Sequence, residues 1–191
     1  MDAFIQSTLL IAVAEMGDKS QLAALAFATR FSARLTLAGI AAATLVVHLF
    51  SVILGEAAGL ALPTFWIGLL AGVAFIGFGI WTLRGDTYED PGTAKPRRWG
   101  AFLTVAVTFF LAELGDKTML ATVTLGSQLN AFVAVWLGST VGMVAADAVA
   151  IGVGQVLGKR LPERAIQLGA AAIFIGFGAW SVADAVAGVF A

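Results

Sequence analysis

The chain has 191 residues, of which 60% are hydrophobic and only 12% are charged, and its formal net charge is −1. Soluble domains are usually about 45–50% apolar and about 25% charged, so this composition predicts a membrane protein. The small net charge gives no basic surface for nucleic acid. The absence of cysteine excludes disulfides and thiolate metal sites, and a lone histidine, His48, cannot build a multi-histidine zinc site.

Six apolar segments follow one another along the chain. A helix needs about 20 mostly apolar residues to cross a bilayer, and these segments meet that length. They are too long and too uniformly apolar for barrel strands, so we expect helices. The predicted spans cover residues 5–27, 35–60, 65–83, 100–125, 130–157 and 166–189. The fold class predicted is therefore an all-α membrane protein with six transmembrane helices.

Basic residues are confined to the loops on one side of this arrangement. Of the 11 lysine and arginine residues, all but Lys19 and Lys117 lie in the loops after the first, third and fifth spans. Loops rich in lysine and arginine stay in the cytoplasm. We therefore expect the charged loops inside the cell and both termini outside.

The two halves of the chain repeat each other. The segment Glu-Met-Gly-Asp-Lys-Ser at 15–20 recurs as Glu-Leu-Gly-Asp-Lys-Thr at 113–118, and Phe-Ile-Gly-Phe-Gly at 75–79 recurs at 174–178. The pattern predicts two three-helix repeats, 1–84 and 100–191, joined by a cytoplasmic linker at 85–99. Because three is odd, the second repeat would enter the membrane from the opposite side, as in many secondary transporters. The alternative is a duplication kept for packing alone.

The first repeated motif places charges near the middle of two predicted spans, where each costs at least about 2.5–3.5 kcal/mol. Its two acidic residues are three apart, so we expect them on one helix face. If the repeats meet at a two-fold axis, four carboxylates and two lysines come together with a formal charge of −2, which one divalent cation neutralises. The candidate metal ligands are Glu15, Asp18, Glu113 and Asp116, with Lys19 and Lys117 as charge-balancing groups. The alternative is a pair of structural ion-pair clusters.

Neighbouring residues add detail to this hypothesis. Oxygen ligands suit hard ions such as Mg²⁺, Ca²⁺ and Mn²⁺. Gln21 and Met119 follow three residues after each aspartate as further candidate ligands, and a soft thioether favours Mn²⁺ among these ions. Gly17 and Gly115, inside the motifs, weaken the helix and allow local unwinding.

Two more polar residues, His48 and Asp147, fall near mid-membrane at matching positions of the repeats. Either could carry a proton on an exchange pathway. The alternative for His48 is a hydrogen bond to a neighbouring helix.

With its doubled Glu-x-Gly-Asp-Lys-Ser/Thr motif, the sequence resembles the Gdt family, which includes Golgi-type calcium/manganese cation–proton exchangers and bacterial MneA-type manganese exporters. The resemblance covers nearly the whole chain. It implies transport of Mn²⁺, with Ca²⁺ as a second candidate, in exchange for protons. For a bacterial member it implies export across the inner membrane. The family's acidic positions correspond to Glu15, Asp18, Glu113 and Asp116, and its basic position corresponds to Lys19 and Lys117.

Two other functions are compatible with these residues. Asp18 and Asp116 could form the dyad of an intramembrane aspartyl protease, although the adjacent lysines and nearby glutamates would disturb the titration of such a dyad. A non-transporting membrane assembly factor is the other alternative. We favour a transporter that is not an enzyme, with the divalent cation and protons as its substrates, the bilayer as its surroundings and no cofactor.

Overall fold

The computed structural model describes residues 2–84, 100–157 and 163–190, and the predicted linker at 85–99 lies outside these ranges. All regular secondary structure in the described ranges is helical. The helices are α1 (Ala3–Glu15), α2 (Lys19–Arg30), α3 (Ala33–Ala61), α4 (Thr64–Arg84), α5 (Gly100–Glu113), α6 (Lys117–Leu129), α7 (Phe132–Leu157) and α8 (Glu163–Phe190).

Four of these helices are long and apolar enough to cross a bilayer. The qualifying stretches are Ala33–Ala61, Thr64–Leu83, Phe132–Gly154 and Leu168–Gly188. Helices α1 and α5 are apolar but shorter. Large apolar side chains such as Phe50, Leu111 and Val149 are more than half exposed on the outside of the bundle. Such a surface suits lipid rather than water.

The prediction of one continuous helix over 5–27 and another over 100–125 was wrong. Each of these segments is two helices, because the chain turns sharply at Gly17 and at Gly115, where φ is +75° and +79°. An α-helix cannot pass through a left-handed residue. The other four predicted spans are single helices whose ends agree with α3, α4, α7 and α8 to within 3 residues.

Helix α3 of the first half packs along α5 and then α6 of the second half. Gly39 lies against Val105 of α5, and Gly55 lies against the backbone of α6 at Val123. Residue numbers rise together along both sides of this contact, so α3 runs parallel to α5 and α6. The glycines permit the close approach that helix association in a membrane favours.

Helix α7 of the second half makes the equivalent contact with α1 and α2 of the first. Gly138 lies against Ser7 of α1, and Gly154 lies against Leu25 of α2. These glycines stand at the same repeat positions as those of α3. The two halves therefore use matching residues to hold each other.

Helices α4 and α8, which are equivalent in the repeat, pack directly on one another. Gly68 lies against Ala185, whereas Gly79 lies against Ala171, so the two helices are antiparallel. Phe75 stacks on its repeat counterpart Phe174 with ring centroids 6.0 Å apart. The repeated phenylalanine–glycine motif thus serves packing at the contact between the halves.

Candidate cation-binding site

The first charged motif folds as a tight turn between α1 and α2. The N–H of Asp18 donates to the carbonyl oxygen of Glu15 at 3.1 Å. Met16, at φ −63° and ψ 122°, precedes Gly17 at φ +75°. These angles are those of a type II turn, whose third residue requires a positive φ and hence usually a glycine. The glycine of the motif is therefore explained by backbone geometry.

The second motif repeats the turn between α5 and α6. The N–H of Asp116 donates to the carbonyl oxygen of Glu113 at 3.2 Å, and Gly115 has φ +79°. Asp116 then occupies the N-cap position of α6. Because free N–H groups and the helix dipole make an N-terminus positive, each break is a favourable place for negative charge inside a membrane.

Each turn separates its two acidic residues onto different helical elements. Glu15 ends α1 and Asp18 precedes α2, so the expectation that they share one face of a continuous helix is wrong, and the same holds for Glu113 and Asp116. All four are nonetheless buried, with at most 4% of their surface exposed.

A hydroxyl group holds each motif glutamate. Ser20 donates a hydrogen bond to Oε1 of Glu15, and Thr118 donates to Oε2 of Glu113 at 2.8 Å. Sequence reasoning did not single out these two hydroxyls as site residues. Their signal was present, because the last position of both motif copies carries a hydroxyl. Each one fixes the rotamer of its glutamate and leaves the second carboxylate oxygen available.

Gln21 and Met119, predicted as further ligands, contact the turns themselves. Oε1 of Gln21 accepts the N–H of Gly17 at 2.9 Å, and Sδ of Met119 accepts the N–H of Gly115 at 3.2 Å. Gln21 also donates from Nε2 to the carbonyl oxygen of Ala146 on α7 at 3.3 Å. A thioether has no proton to donate, so Met119 makes no equivalent link.

A buried ion pair joins the two halves. Nζ of Lys117 lies 3.1 Å from Oδ1 of Asp18, and both side chains are almost fully inaccessible to solvent. The lysine of the second motif thus balances an aspartate of the first. The side chain of Lys19, predicted to play the same part, lies outside the described residues.

The glutamates of the two motifs approach each other and a third carboxylate. Glu15 and Glu113 are close enough for their charges to interact with one another and with Asp147. Oε2 of Glu15 and Oε1 of Glu113 have no hydrogen-bond partner among the described residues, and neither has either carboxylate oxygen of Asp147. The structure therefore brings unpartnered carboxylate oxygens from both halves to one buried region.

This region is not a closed cage in the conformation described. Among residues 2–84, 100–157 and 163–190, no three histidine, aspartate or glutamate side chains are arranged to hold one metal ion. The unpartnered oxygens still fit a hard cation chemically, since carboxylates are the ligands such ions prefer.

His48 lies on α3 at the repeat position that Asp147 occupies on α7. It is buried, and its Nδ1 lies 3.4 Å from Oγ1 of Thr140 on α7. The Thr140 hydroxyl donates its only proton to the carbonyl oxygen of Trp136 at 2.8 Å, so we assign Nδ1 of His48 as the donor. His48 thus has the interhelical hydrogen bond that the simpler interpretation anticipated.

Apolar helices that carry buried carboxylates at two breaks are typical of membrane transporters. The chain matches the family model for the divalent cation/proton antiporter GDT1 over residues 3–90 and 101–188. The chain therefore belongs to the GDT1 family, and it is an integral membrane protein. This is a family of cation transporters and not of enzymes, so the protease interpretation of Asp18 and Asp116 is rejected.

Individual relatives agree with this family over most of their length. The chain is 31% identical to a Vibrio cholerae protein named "Putative manganese exporter" over 177 residues, covering 92% of this chain and 88% of that protein. It is 28% identical to the GDT1-like protein 4 of Arabidopsis thaliana, covering 97% of each. It is 29% identical to a GDT1-like protein of Synechocystis sp., covering 88% of this chain and 90% of that one. No solved structure matches the chain significantly.

Proposed function

We propose that the chain exports a divalent cation, with Mn²⁺ as the first candidate and Ca²⁺ as the second, in exchange for protons. The observation that carries the proposal is the approach of Glu15 and Glu113. They come from different halves, both are buried, and each has a carboxylate oxygen with no hydrogen-bond partner in the described part of the chain. A cation between them would give both oxygens a partner.

Charge balance favours a divalent ion over a monovalent one. The two motifs together carry four carboxylates and two lysines, a formal charge of −2. An uncompensated charge in the middle of a bilayer is costly. One divalent cation would neutralise the motifs, and its departure would have to be compensated by protons.

Glu15 and Glu113 are the first ligands proposed, and Asp18 and Asp116 add negative charge at the two helix breaks. Because these side chains do not form a closed cage, an arriving ion would draw the glutamates inward. Gln21 and Met119 stay secondary candidates, since an amide oxygen or a thioether that accepts one N–H keeps a lone pair. Lys117, paired with Asp18, would keep that aspartate charged while tying the halves together.

Transport would proceed by alternating access between two inverted repeats. In this mechanism, helices α1 and α2 together cross the membrane once as a broken span, and so do α5 and α6. With α3, α4, α7 and α8 the chain then crosses six times. It is supported by the antiparallel contact of the equivalent helices α4 and α8 and by the matching contacts of α3 and α7. If the halves rock about this contact, the glutamates would open to one side of the membrane and then to the other.

Proton coupling would follow from competition at the same carboxylates. A protonated carboxylate binds metal poorly, so proton entry from one side would release the ion there. Asp147 and His48 are the candidates for a proton pathway, and Asp147 is the stronger because both of its oxygens are unpartnered in the described structure. Acidifying the side from which the ion binds should slow its uptake.

The distribution of basic residues supports an orientation with both termini outside and the charged loops in the cytoplasm of a bacterial inner membrane. In that orientation, a cation taken up from the side of the basic loops leaves the cell.

The test is flux of Mn²⁺ and of Ca²⁺ into proteoliposomes under an imposed pH gradient. Wild type is compared with Glu15→Gln and Glu113→Gln, and Asp184→Asn serves as a control because that carboxylate is exposed. At metal sites, loss of an outer-sphere partner alone lowers the metal affinity or the activity by about 10- to 100-fold. Loss of either glutamate, a proposed ligand, should therefore lower flux by more than about 100-fold. Folded wild-type protein that moves neither ion would overturn the proposal and favour an assembly factor.

A further inference from the structure

We propose that Asp147 is a third carboxylate of the cation site, supplied by the second half alone. The inference rests on the proposed transport function and names one more residue that binds its substrate. It makes the site asymmetric although the motifs around it are repeated.

The burial of Asp147 calls for a positive partner. The residue lies within α7, none of its surface is exposed, and neither carboxylate oxygen has a hydrogen-bond partner among the described residues. A buried carboxylate without such partners is costly, and native proteins keep one only where a cation or a proton compensates it. A transported cation would meet that need.

The groups around Asp147 are those of the cation site. Its charge interacts with Glu15 at the end of α1 and with Glu113 at the end of α5. Lys117, at the start of α6, is the cation within range of Glu15, and it is already paired with Asp18. Helix α7 therefore adds a negative group, beyond the four motif carboxylates, to a region with one described ammonium group.

Gln21 fixes this part of α7 against the first turn. Its Oε1 accepts the N–H of Gly17, and its Nε2 donates to the carbonyl oxygen of Ala146, the residue before Asp147. A change in the backbone at the first turn would thus be transmitted to the neighbourhood of Asp147. Since the three carboxylates do not enclose an ion in the conformation described, this link provides a route by which the turn and α7 close together.

The repeat-related positions lack both features. His48, on α3 of the first half, is the counterpart of Asp147 and is engaged with Thr140. Met119, in the second half, is the counterpart of Gln21, and its thioether has no proton to donate to α3. The third ligand therefore comes from α7 only, which gives the two faces of the site different affinities for a cation.

The test is an equilibrium Mn²⁺ titration of purified full-length protein in detergent, read by the loss of the free-Mn²⁺ EPR signal. Asp147→Asn should weaken Mn²⁺ binding by at least about 10- to 100-fold, the loss in affinity that removal of an outer-sphere group alone causes. Asp184→Asn, the same change at an exposed carboxylate of α8, should leave the affinity close to that of wild type.

Three outcomes separate the claims. Unchanged affinity in folded Asp147→Asn, with binding lost in Glu15→Gln, overturns the inference and leaves the proposed function standing. Wild-type protein that binds no Mn²⁺ overturns both. If Asp147→Asn does not fold, Asp147→Glu is titrated instead. Its carboxylate is displaced by one methylene, so the inference requires an altered affinity and an unaltered one overturns it.

Discussion

The first and second halves of the chain build the same turn and differ in what surrounds it. Both have a glutamate held by a hydroxyl, a left-handed glycine and an aspartate before the next helix. The first turn is linked through Gln21 to α7, next to Asp147, whereas the second turn has Met119 beside it, and His48 stands at the position of α3 that corresponds to Asp147. The two turns, which backbone geometry sets, are repeated, whereas the polar side chains around them at positions 21 and 119 and at 48 and 147 differ.

The difference indicates how a duplicated unit can serve directional transport. Two identical halves would give a site with equal affinity from either side. A carboxylate on α7 and an amide beside the first turn, with an imidazole and a thioether at the repeat-related positions, break that equality without altering the turns.

The largest effect on stability should come from the ion pair between the halves. Lys117→Met removes the ammonium group 3.1 Å from Asp18 inside the bundle. Loss of one partner of a buried pair typically costs about 3–5 kcal/mol. The free energy of unfolding, measured in mixed micelles, should fall by that amount.

The matched control for this pair is the double variant Asp18→Leu/Lys117→Met, which removes both charges. It should recover part of the lost stability, because Asp18 is then not left buried without its ammonium partner. A single Lys117→Met variant as stable as wild type would contradict the view that this pair ties the halves together.

The glycines of α3 and α7 should differ although they occupy the same repeat position. A Cβ at Gly55 would overlap the carbonyl oxygen of Val123, which the backbone of α6 holds in place. The atoms nearest to a Cβ at Gly154 belong to the Leu25 side chain, the first at 2.7 Å, and that side chain can rotate. Gly55→Ala should therefore lower the free energy of unfolding by about 1–3 kcal/mol, the range for overpacking, and Gly154→Ala should lower it distinctly less. Equal losses in the thermal unfolding of the two variants would contradict the described packing.

The two turns, by contrast, should respond equally. Gly17→Ala and Gly115→Ala each place a Cβ on a residue with φ of +75° or +79°. An L-residue in the left-handed conformation is less stable by roughly 1–2 kcal/mol, so the free energy of unfolding should fall by that amount in each variant. Gly77→Ala is the control, because a Cβ there meets nothing within 4 Å. A loss confined to one of the two turns would show that they are not the same structure.

The smallest effect expected is a change in ion preference. Met119→Leu removes the sulfur beside the second turn while keeping a similar volume. Because a soft ligand favours Mn²⁺ over Ca²⁺, the ratio of Mn²⁺ to Ca²⁺ flux should fall by a few-fold, with total flux largely kept. An unchanged ratio would remove the thioether from the account of selectivity.

Much of this arrangement could be predicted from the sequence, and the misses have physical causes. The apolar runs located α3, α4, α7 and α8, and the doubled motif located the buried acids. Local unwinding at Gly17 and Gly115 was predicted, but two separate helices were not, because an isolated glycine only weakens a helix and nothing local shows that it takes a positive φ. The partner of Lys117 was not predictable, since the pair crosses between halves and depends on how they dock.

In the proposed function, the two motifs form one shared cation site. The most direct measurement is the stoichiometry of Mn²⁺ bound per chain by purified wild type, Glu15→Gln and Glu113→Gln at saturating Mn²⁺. A shared site predicts that either substitution removes the same bound ion, so both variants lose it completely. Retention of half of the bound Mn²⁺ in each variant would mean two independent sites and would contradict the account.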